Sequence, residues 1–315
     1  MTGSGVAQSR LAAVTGGTGF VGRRLVCALT VAGWRVRALV RPSGAGKVEA
    51  GAEVVSGDLG DPAALATLAR DADVVIHAAG LVKARNRAEF YEVNVEGARR
   101  MALAVGDGRM VLISSLTARE PQLSHYAASK RMGEEAAKEV LGERLVVLRP
   151  PAIYGPGDRE TLGLFQLAGL SPLMPTPRSA AARLALTHVD DVTASVLARL
   201  GGSWTPGVFA LGGARPEGYG WREIFTTAAE AIGRKPILAP LPDALIHLAA
   251  AASEAAARLR GEPAIFNSGK ARELLHGDWS VSRAELPPGP AAPSVDLRTG
   301  FERTVAWYRR AGWLR

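Results

Sequence analysis

The chain has 315 residues, 47% of them hydrophobic, a formal charge of +8 and one cysteine. That length supports about two domains with a real core, and a single cysteine excludes an intramolecular disulfide. The arginines are scattered over prospective helix faces rather than run together, which excludes an obvious nucleic-acid stripe and leaves a general attraction for anionic ligands.

Residues 1–10 are small and polar and are expected to be a flexible tail without the apolar core of a secretory signal. No later stretch reaches the ~18 uninterrupted apolar residues of a membrane span, so a cytoplasmic protein is expected. The apolar run Leu11 to Val14 reads as a strand and Val21 to Gly33 as a helix. Between them lies Thr15-Gly16-Gly17-Thr18-Gly19-Phe20-Val21-Gly22. Strand, glycine turn and helix aim backbone N–H groups at a pyrophosphate. Gly16 permits the turn, Gly19 lets the backbone approach the phosphates, and Gly22 lets the helix pack closely on the sheet. Cys27 falls inside this helix and is assigned to packing.

Arg35 to Arg41 is a second strand, broken by Pro42-Ser43-Gly44. An NAD site commonly carries Asp or Glu at its end to bind the ribose 2′-OH; here the residues are Leu39, Val40 and Arg41. Arg41 either pairs with a 2′-phosphate, favouring NADP with NAD still open, or is a solvated strand end. Glu53 to Val55 is a third strand, followed by Gly57-Asp58-Leu59 and a helix capped by Asp61 with Pro62 first. Asp73 to His77 is a buried fourth strand ending in Ala78-Ala79-Gly80; His77 is read as structural.

Glu89 to Val105 has helical spacing and contains Asn94, which spacing alone does not single out. Arg109 to Ile113 is a fifth strand that delivers Ser114 and Ser115 to the sheet edge where open parallel sheets bind ligands. A helix from Ser124 to Leu141 places Tyr126 and Lys130 on one face. A tyrosine is a poor base near neutrality, and a nearby ammonium is expected to lower its pKa. It then exchanges a proton with a hydroxyl or carbonyl, while Ser115 holds the oxygen. Tyrosine and lysine at this spacing are also common on helix surfaces; the position after the fifth strand gives the pair its meaning.

Arg144 to Arg149 is a sixth strand, running into Pro150-Pro151-Ala152-Ile153-Tyr154-Gly155-Pro156-Gly157-Asp158. Glu160 to Leu170 reads as a helix, Ser171 to Arg178 as proline-rich and irregular, and Leu184 to Leu186 as a strand. Asp190 and Asp191 are expected to cap a helix from Val192 to Leu200. A strand at Val208 to Leu211 and helices at Trp221 to Ile232, Asp243 to Arg260 and Phe301 to Gly312 follow. Pro287-Pro288-Gly289-Pro290 is a turn-rich connection.

Together these features resemble the extended short-chain dehydrogenase/reductases of the epimerase/dehydratase superfamily. The residues that carry the resemblance are Thr15 to Gly22, Asp58-Leu59, His77 to Gly80, Asn94 to Gly97, Ser114-Ser115, Tyr126, Lys130, Leu148 to Asp158 and His188 to Val192. The resemblance implies an α/β Rossmann fold with a doubly wound parallel sheet over residues 11–158. Residues 184–211 return to it, and 159–183 with 212–315 form a smaller, interleaved substrate-binding domain. It implies cofactor contacts from Gly16, Thr18, Gly19, Phe20, Val21, Gly22, Asp58, Leu59, Ala78, Ala79, Gly80, Asn94, Ser114, Pro150 and Ile153. Lys130 would meet the nicotinamide ribose, Tyr126 would be the general acid/base and Ser115 its partner, with Ser114 as the alternative. No metal is implied, and a homodimer through two helices is common in such proteins.

Sugar-nucleotide enzymes of this type often carry Asn where this chain has Ala152. The Pro150 to Ile153 version looks more like the hydroxysteroid-dehydrogenase and dihydroflavonol-reductase-like branch, and the apolar stretch Leu241 to Leu259 agrees. The leading expectation is an NADP-linked oxidoreductase for a secondary alcohol or ketone of a largely apolar small molecule. Its pocket is expected to be lined by Leu81, Val82, Pro151 to Ile153, Leu164 to Met174 and the alanine-rich helix. The alternatives are a sugar-nucleotide epimerase or dehydratase, with Arg178, Arg183 or Arg215 on the diphosphate, and a non-catalytic dinucleotide-binding subunit.

Overall fold

The computed structural model describes residues 10–49, 51–264, 266–289 and 294–314. Most of the expected N-terminal tail, and Pro290 of the expected turn, lie outside the described residues. The first six strands are β1 (Leu11–Thr15), β2 (Arg35–Val40), β3 (Glu53–Ser56), β4 (Val74–His77), β5 (Met110–Ile113) and β6 (Leu145–Arg149). After them come β7 (Ala152–Tyr154), β8 (Leu173–Pro177), β9 (Arg183–Leu184) and β10 (Leu186–His188). The last three are β11 (Gly207–Ala210), β12 (Ile237–Leu241) and β13 (Asp278–Trp279). Seven strands form one parallel sheet in the order β11-β6-β5-β4-β1-β2-β3. The order reverses direction between β1 and β4, which opens a crevice at the strands' carboxyl ends.

The helices are α1 (Phe20–Val31), α2 (Pro62–Ala69), α3 (Arg87–Phe90), α4 (Gly97–Val105), α5 (His125–Leu141) and α6 (Leu162–Leu170). They continue as α7 (Val189–Gly201), α8 (Trp221–Ala231), α9 (Asp243–Arg260), α10 (Ser268–Leu275) and α11 (Leu297–Arg310). Strand side chains alternate between the faces of the sheet, and both faces are covered. Ala12 and Val14 pack with Leu25 and Leu29 of α1 and Val192 and Val196 of α7. Ala13 between them points the other way, toward Leu65 and Leu68 of α2 and Met101 of α4. Each fully buried leucine contributes about 1.5–3 kcal/mol relative to exposure. A separate aromatic core joins Tyr154, Phe165, Phe301 and Tyr308 across β7, α6 and α11.

Several sequence expectations are corrected. Cys27 is exposed on α1, because the helix turns Leu25, Val26 and Leu29 inward instead. The proline-rich stretch contains β8, paired in parallel with β12; the prolines are tolerated because this pair is a two-stranded sheet of edges. The strand read at Leu184 to Leu186 is two strands, β9 and β10, in different sheets. Helix α7 begins at Val189, with His188 as its cap through Nδ1. Asp190 pairs with Arg24 at 2.6 Å, and Asp191 accepts from the Val295 N–H at 3.1 Å.

Candidate active site

The glycine turn closes the floor of the crevice. Gly16 has φ +74°, and a Cβ there would lie 2.7 Å from the backbone of Ala78 and Ala79. A Cβ on Gly22 would strike the Gly16 carbonyl oxygen at 2.0 Å. No side chain caps α1, so its first N–H groups stay available to an anion. Below the turn, Thr15 Oγ1 lies 2.8 Å from His77 Nδ1 and accepts the Ala79 N–H at 3.3 Å. His77 is thus a structural residue that ties β1 to β4. Its burial, with Lys130 nearby, pushes its pKa down to about 3.

Asn94 sits in a π-helical turn, Tyr91–Glu96, between α3 and α4. Its Oδ1 accepts the Leu81 N–H at 2.8 Å, and its Nδ2 donates to the Leu81 carbonyl at 3.0 Å and to Ser129 Oγ at 2.9 Å. A buried side-chain amide therefore fixes the loop after β4 against helix α5. Gly97 is needed for Leu59, which a Cβ would meet at 2.7 Å. Asp58 turns the chain by accepting from the Gly60 N–H at 2.8 Å.

Ser114 and Ser115 leave β5 in opposite directions. Ser114 is buried and donates to Glu134, so its hydroxyl is committed. Ser115 accepts from Thr117 Oγ1 at 2.9 Å and keeps its own proton to donate. Ser124 caps α5 by accepting from Ala127 N at 2.9 Å. The half-buried Tyr126 then faces the crevice, with the Phe90 ring 6.1 Å away. Burial pushes the Tyr126 phenol up to about 12; a Ser115 hydrogen bond pulls it back in part, and Glu273 and Glu160 add to the rise. The expectation of a lowered phenol is therefore corrected: desolvation dominates here, and the phenol stays protonated at neutrality.

Lys130 Nζ is buried and donates to the Ile113 carbonyl at 2.9 Å. Burial lowers its pKa to about 8, with Glu134 opposing. A Cβ on Gly80 would lie 3.8 Å from this ammonium, so Lys130 reaches the crevice edge behind Gly80.

A cavity of about 1360 Å³ joins these pieces. Gly16, Thr18, Gly19, Phe20, Val21, Gly22, Ala78, Gly80, Ser114, Ser115, Tyr126, Pro150 and Ile153 all line it. Arg41, Asp58, Leu59, Ala79, Asn94 and Lys130 do not line it. Arg41 is exposed at the end of β2, whereas Arg23 and Arg24 of α1 do line the cavity. Helix spacing alone gave no reason to choose those two. The glycine floor and the uncapped helix fit a dinucleotide.

The outer wall corrects the expected lining. Leu81 and residues 164–174 are absent from it. Phe165 is buried in the aromatic core, and Ala168 and Met174 pack with Ala229 of α8. Val82, Pro151, Ala152, Leu184, Trp221, Trp307 and Trp313 supply the apolar surface, with Ala257 from α9. Charged side chains line it as well, among them Lys83, Arg85, Arg159, Arg258, Lys270 and Arg272 with Glu160, Glu254 and Glu273. Glu273 also accepts the Ser124 hydroxyl, which clamps α10 onto the start of α5. None of the three arginines considered for a diphosphate lines this cavity. Arg183 donates to the Ala182 carbonyl at 3.1 Å, and Arg215 pairs with Glu223 at 2.8 Å. Arg178 edges a shallow pocket beside Pro242. Among the described residues no cluster could hold a metal ion, and no helix is long and apolar enough to cross a membrane.

Residues 12–200 match the NAD dependent epimerase/dehydratase family. A ceramide reductase of Caulobacter vibrioides is 50% identical over 309 residues, covering 96% of this chain and 95% of that protein. A 4-hydroxy-2-methyl-3-oxo-4-farnesyl-3,4-dihydroquinoline-1-oxide ketoreductase of Stigmatella aurantiaca is 37% identical over 169 residues, 46% of this chain and 51% of its own. Among solved structures, the crystal structure of gox2253 shares the fold with a TM-score of 0.75 at 24% identity, over 98% of this chain and 100% of that one.

Proposed function

The chain belongs to the NAD-dependent epimerase/dehydratase family and is an NAD(P)-dependent oxidoreductase, and on that premise we propose that it reduces the ketone of a long-chain, ceramide-like lipid. The observation that carries this reading is the cavity's outer wall. It presents Trp221, Trp307, Trp313, Leu184 and Ala257, and several cations that line the cavity are already engaged: Lys83 with Glu160 at 2.8 Å, Arg85 with Glu89, and Arg272 with the Leu123 carbonyl at 2.7 Å. A sugar-nucleotide diphosphate needs cations of fixed geometry, whereas an alkyl chain needs only apolar area. The 50% identity to a ceramide reductase over nearly the whole chain supports the same class.

In this reading Tyr126 is the general acid. Its phenol, protonated at neutrality, gives its proton to the carbonyl oxygen, and Ser115 donates a hydrogen bond to that same oxygen. A reduced nicotinamide, when bound, supplies the hydride to the carbonyl carbon, which completes the alcohol. The Lys130 ammonium, held behind Gly80 by the Ile113 carbonyl, would steady the phenolate left behind and would meet the nicotinamide ribose of a bound cofactor. Asn94 holds the Gly80–Leu81 loop in register with α5 and acts as a positioning residue. The backbone from Gly16 to Gly22 and the start of α1 would hold the pyrophosphate. NADP is proposed over NAD because Arg41, and no carboxylate, ends β2. Residues 11–158 with 184–211 are proposed as the cofactor domain, and the remainder as the substrate domain.

The test is isotopic. NADPH deuterated at the transferable position, incubated with enzyme and an N-acylated long-chain amino ketone, should yield an alcohol carrying one deuterium by mass spectrometry. Unlabelled product, or label appearing only in a nucleotide sugar, would refute the reading.

A further inference from the structure

Helix α9 has two apolar faces, and only one is covered. Ile246 and Ala250 face inward, where they meet Ala271 of α10. On the opposite side Leu245, Leu248, Ala252, Ala255 and Leu259 follow each other at alternating steps of three and four residues, which sets them in one stripe. The three leucines are 49%, 65% and 90% exposed. No Asp, Glu, Lys or Arg occurs from Ala244 through Ser253. A helix on a water-facing surface ordinarily carries charge there. The stripe ends at Arg258 and Arg260, whose side chains are 82% and 61% exposed. Their contacts to Glu254 and Glu262, at 3.8 and 3.3 Å, are surface pairs that hold them weakly.

We propose that the outer face of α9 docks this enzyme on an anionic phospholipid bilayer, with Leu245, Leu248 and Leu259 in the acyl boundary and Arg258 and Arg260 at the phosphates. Two features favour a bilayer over other occupants. The cationic pair sits at one end of an otherwise uncharged stripe, and the chain as a whole carries a formal charge of +8, which draws it to an anionic surface. The same helix also supplies Glu254, Ala257 and Arg258 to the cavity wall. A helix lying in the interface thus sets that wall beside the lipid, so that an alkyl chain passes into the cavity without crossing water. The helix lies on the membrane rather than across it, consistent with the lack of a spanning helix among the described residues. The use of the docking rests on the lipid reading above; the docking itself does not.

The experiment is flotation of the full chain with vesicles of phosphatidylcholine and phosphatidylglycerol. Wild type should float with the vesicles, and a Leu245→Glu, Leu248→Glu, Leu259→Glu variant should partition roughly 100-fold less, given the apolar area lost. None of these leucines lines the cavity, so turnover of a water-soluble short-chain ketone should be unchanged, which also shows that the variant folds. Wild type left among the soluble protein, or a variant that floats as well, would overturn the proposal. So would a variant that only changes a dimer to a monomer, since the face would then join two copies of the chain. Wild type that reduces ketones in detergent micelles without floating sinks the docking alone. Wild type that floats yet reduces no lipid ketone supports the docking and sinks the lipid reading.

Discussion

Glu134 accepts from Nε and Nη2 of the Arg149 guanidinium, at 2.9 and 2.5 Å, one helical turn beyond Lys130. The side chains are only 5% and 14% exposed, and the same carboxylate receives the Ser114 hydroxyl. The pair therefore locks α5 to the ends of β5 and β6, where the candidate site stands. Removing one partner of a buried pair leaves the other charge uncompensated, at a cost of about 3–5 kcal/mol. Glu134→Ala should lower the urea midpoint accordingly, and the double variant Glu134→Leu/Arg149→Met should recover most of the loss. Equal destabilisation in both would show that the pair is not what locks the helix.

Tyr126→Phe should bind cofactor normally and lose roughly 10²–10⁴-fold in turnover, the usual worth of a positioned proton donor. The pH profile should carry the rest of the argument. With the phenol up at about 12, Tyr126 stays protonated across the working range. Lys130, lowered to about 8, loses its charge above that value. Reductive kcat/KM should be level through neutrality and fall above about pH 8. Glu134→Gln should move the fall to lower pH, because the lost carboxylate no longer supports the ammonium. A profile that does not respond to Glu134→Gln would remove Lys130 from the account.

Arg41 is exposed at the end of β2 with no acidic residue beside it in the strand. A charge-assisted contact to a 2′-phosphate should favour NADPH over NADH by about 1–3 kcal/mol. Arg41→Ala should erase that preference in a titration of both cofactors. An unchanged preference would shift attention to Arg23 and Arg24, which do line the cavity.

His77 should shape stability in acid. Its folded pKa is lowered to about 3 from 6.5, so below pH 6.5 the unfolded chain takes up a proton that the folded chain refuses. Stability is full above 6.5 and drops by about 1.4 kcal/mol per pH unit as acid is added through that window. In denaturant melts His77→Gln should show a shallower acid dependence than wild type. A parallel dependence would assign the acid loss to other groups.

The sheet was legible in the sequence because its central strands β1, β4, β5 and β6, buried on both faces, are short apolar runs. Asp61, Ser124 and Gly261 mark helix ends by chemistry that needs no tertiary context. Pairings set by partners distant in sequence were not legible. Nothing in Leu173 to Pro177 announces a strand until β12 lies beside it. Cys27 looked like core because its neighbours are apolar, yet the turn of α1 sends it outward. The Tyr126 pKa failed for a related reason: spacing brings the lysine near, but desolvation is set by walls from α3, α10 and the loops. Glu134 was findable, since it repeats the helical step from Tyr126 to Lys130 once more. Glu273 was not, because only the fold brings α10 to Ser124.

The most direct test of the central claim is kcat/KM across a homologous series of ketones of increasing alkyl length, dispersed in detergent with NADPH. Each methylene buried against the tryptophan wall contributes about 0.8 kcal/mol, or roughly fourfold. The apolar-substrate account predicts a rise of that order per carbon until the cavity is filled, then a plateau. A series flat in chain length, with turnover of UDP- or GDP-sugars under the same conditions, would contradict it.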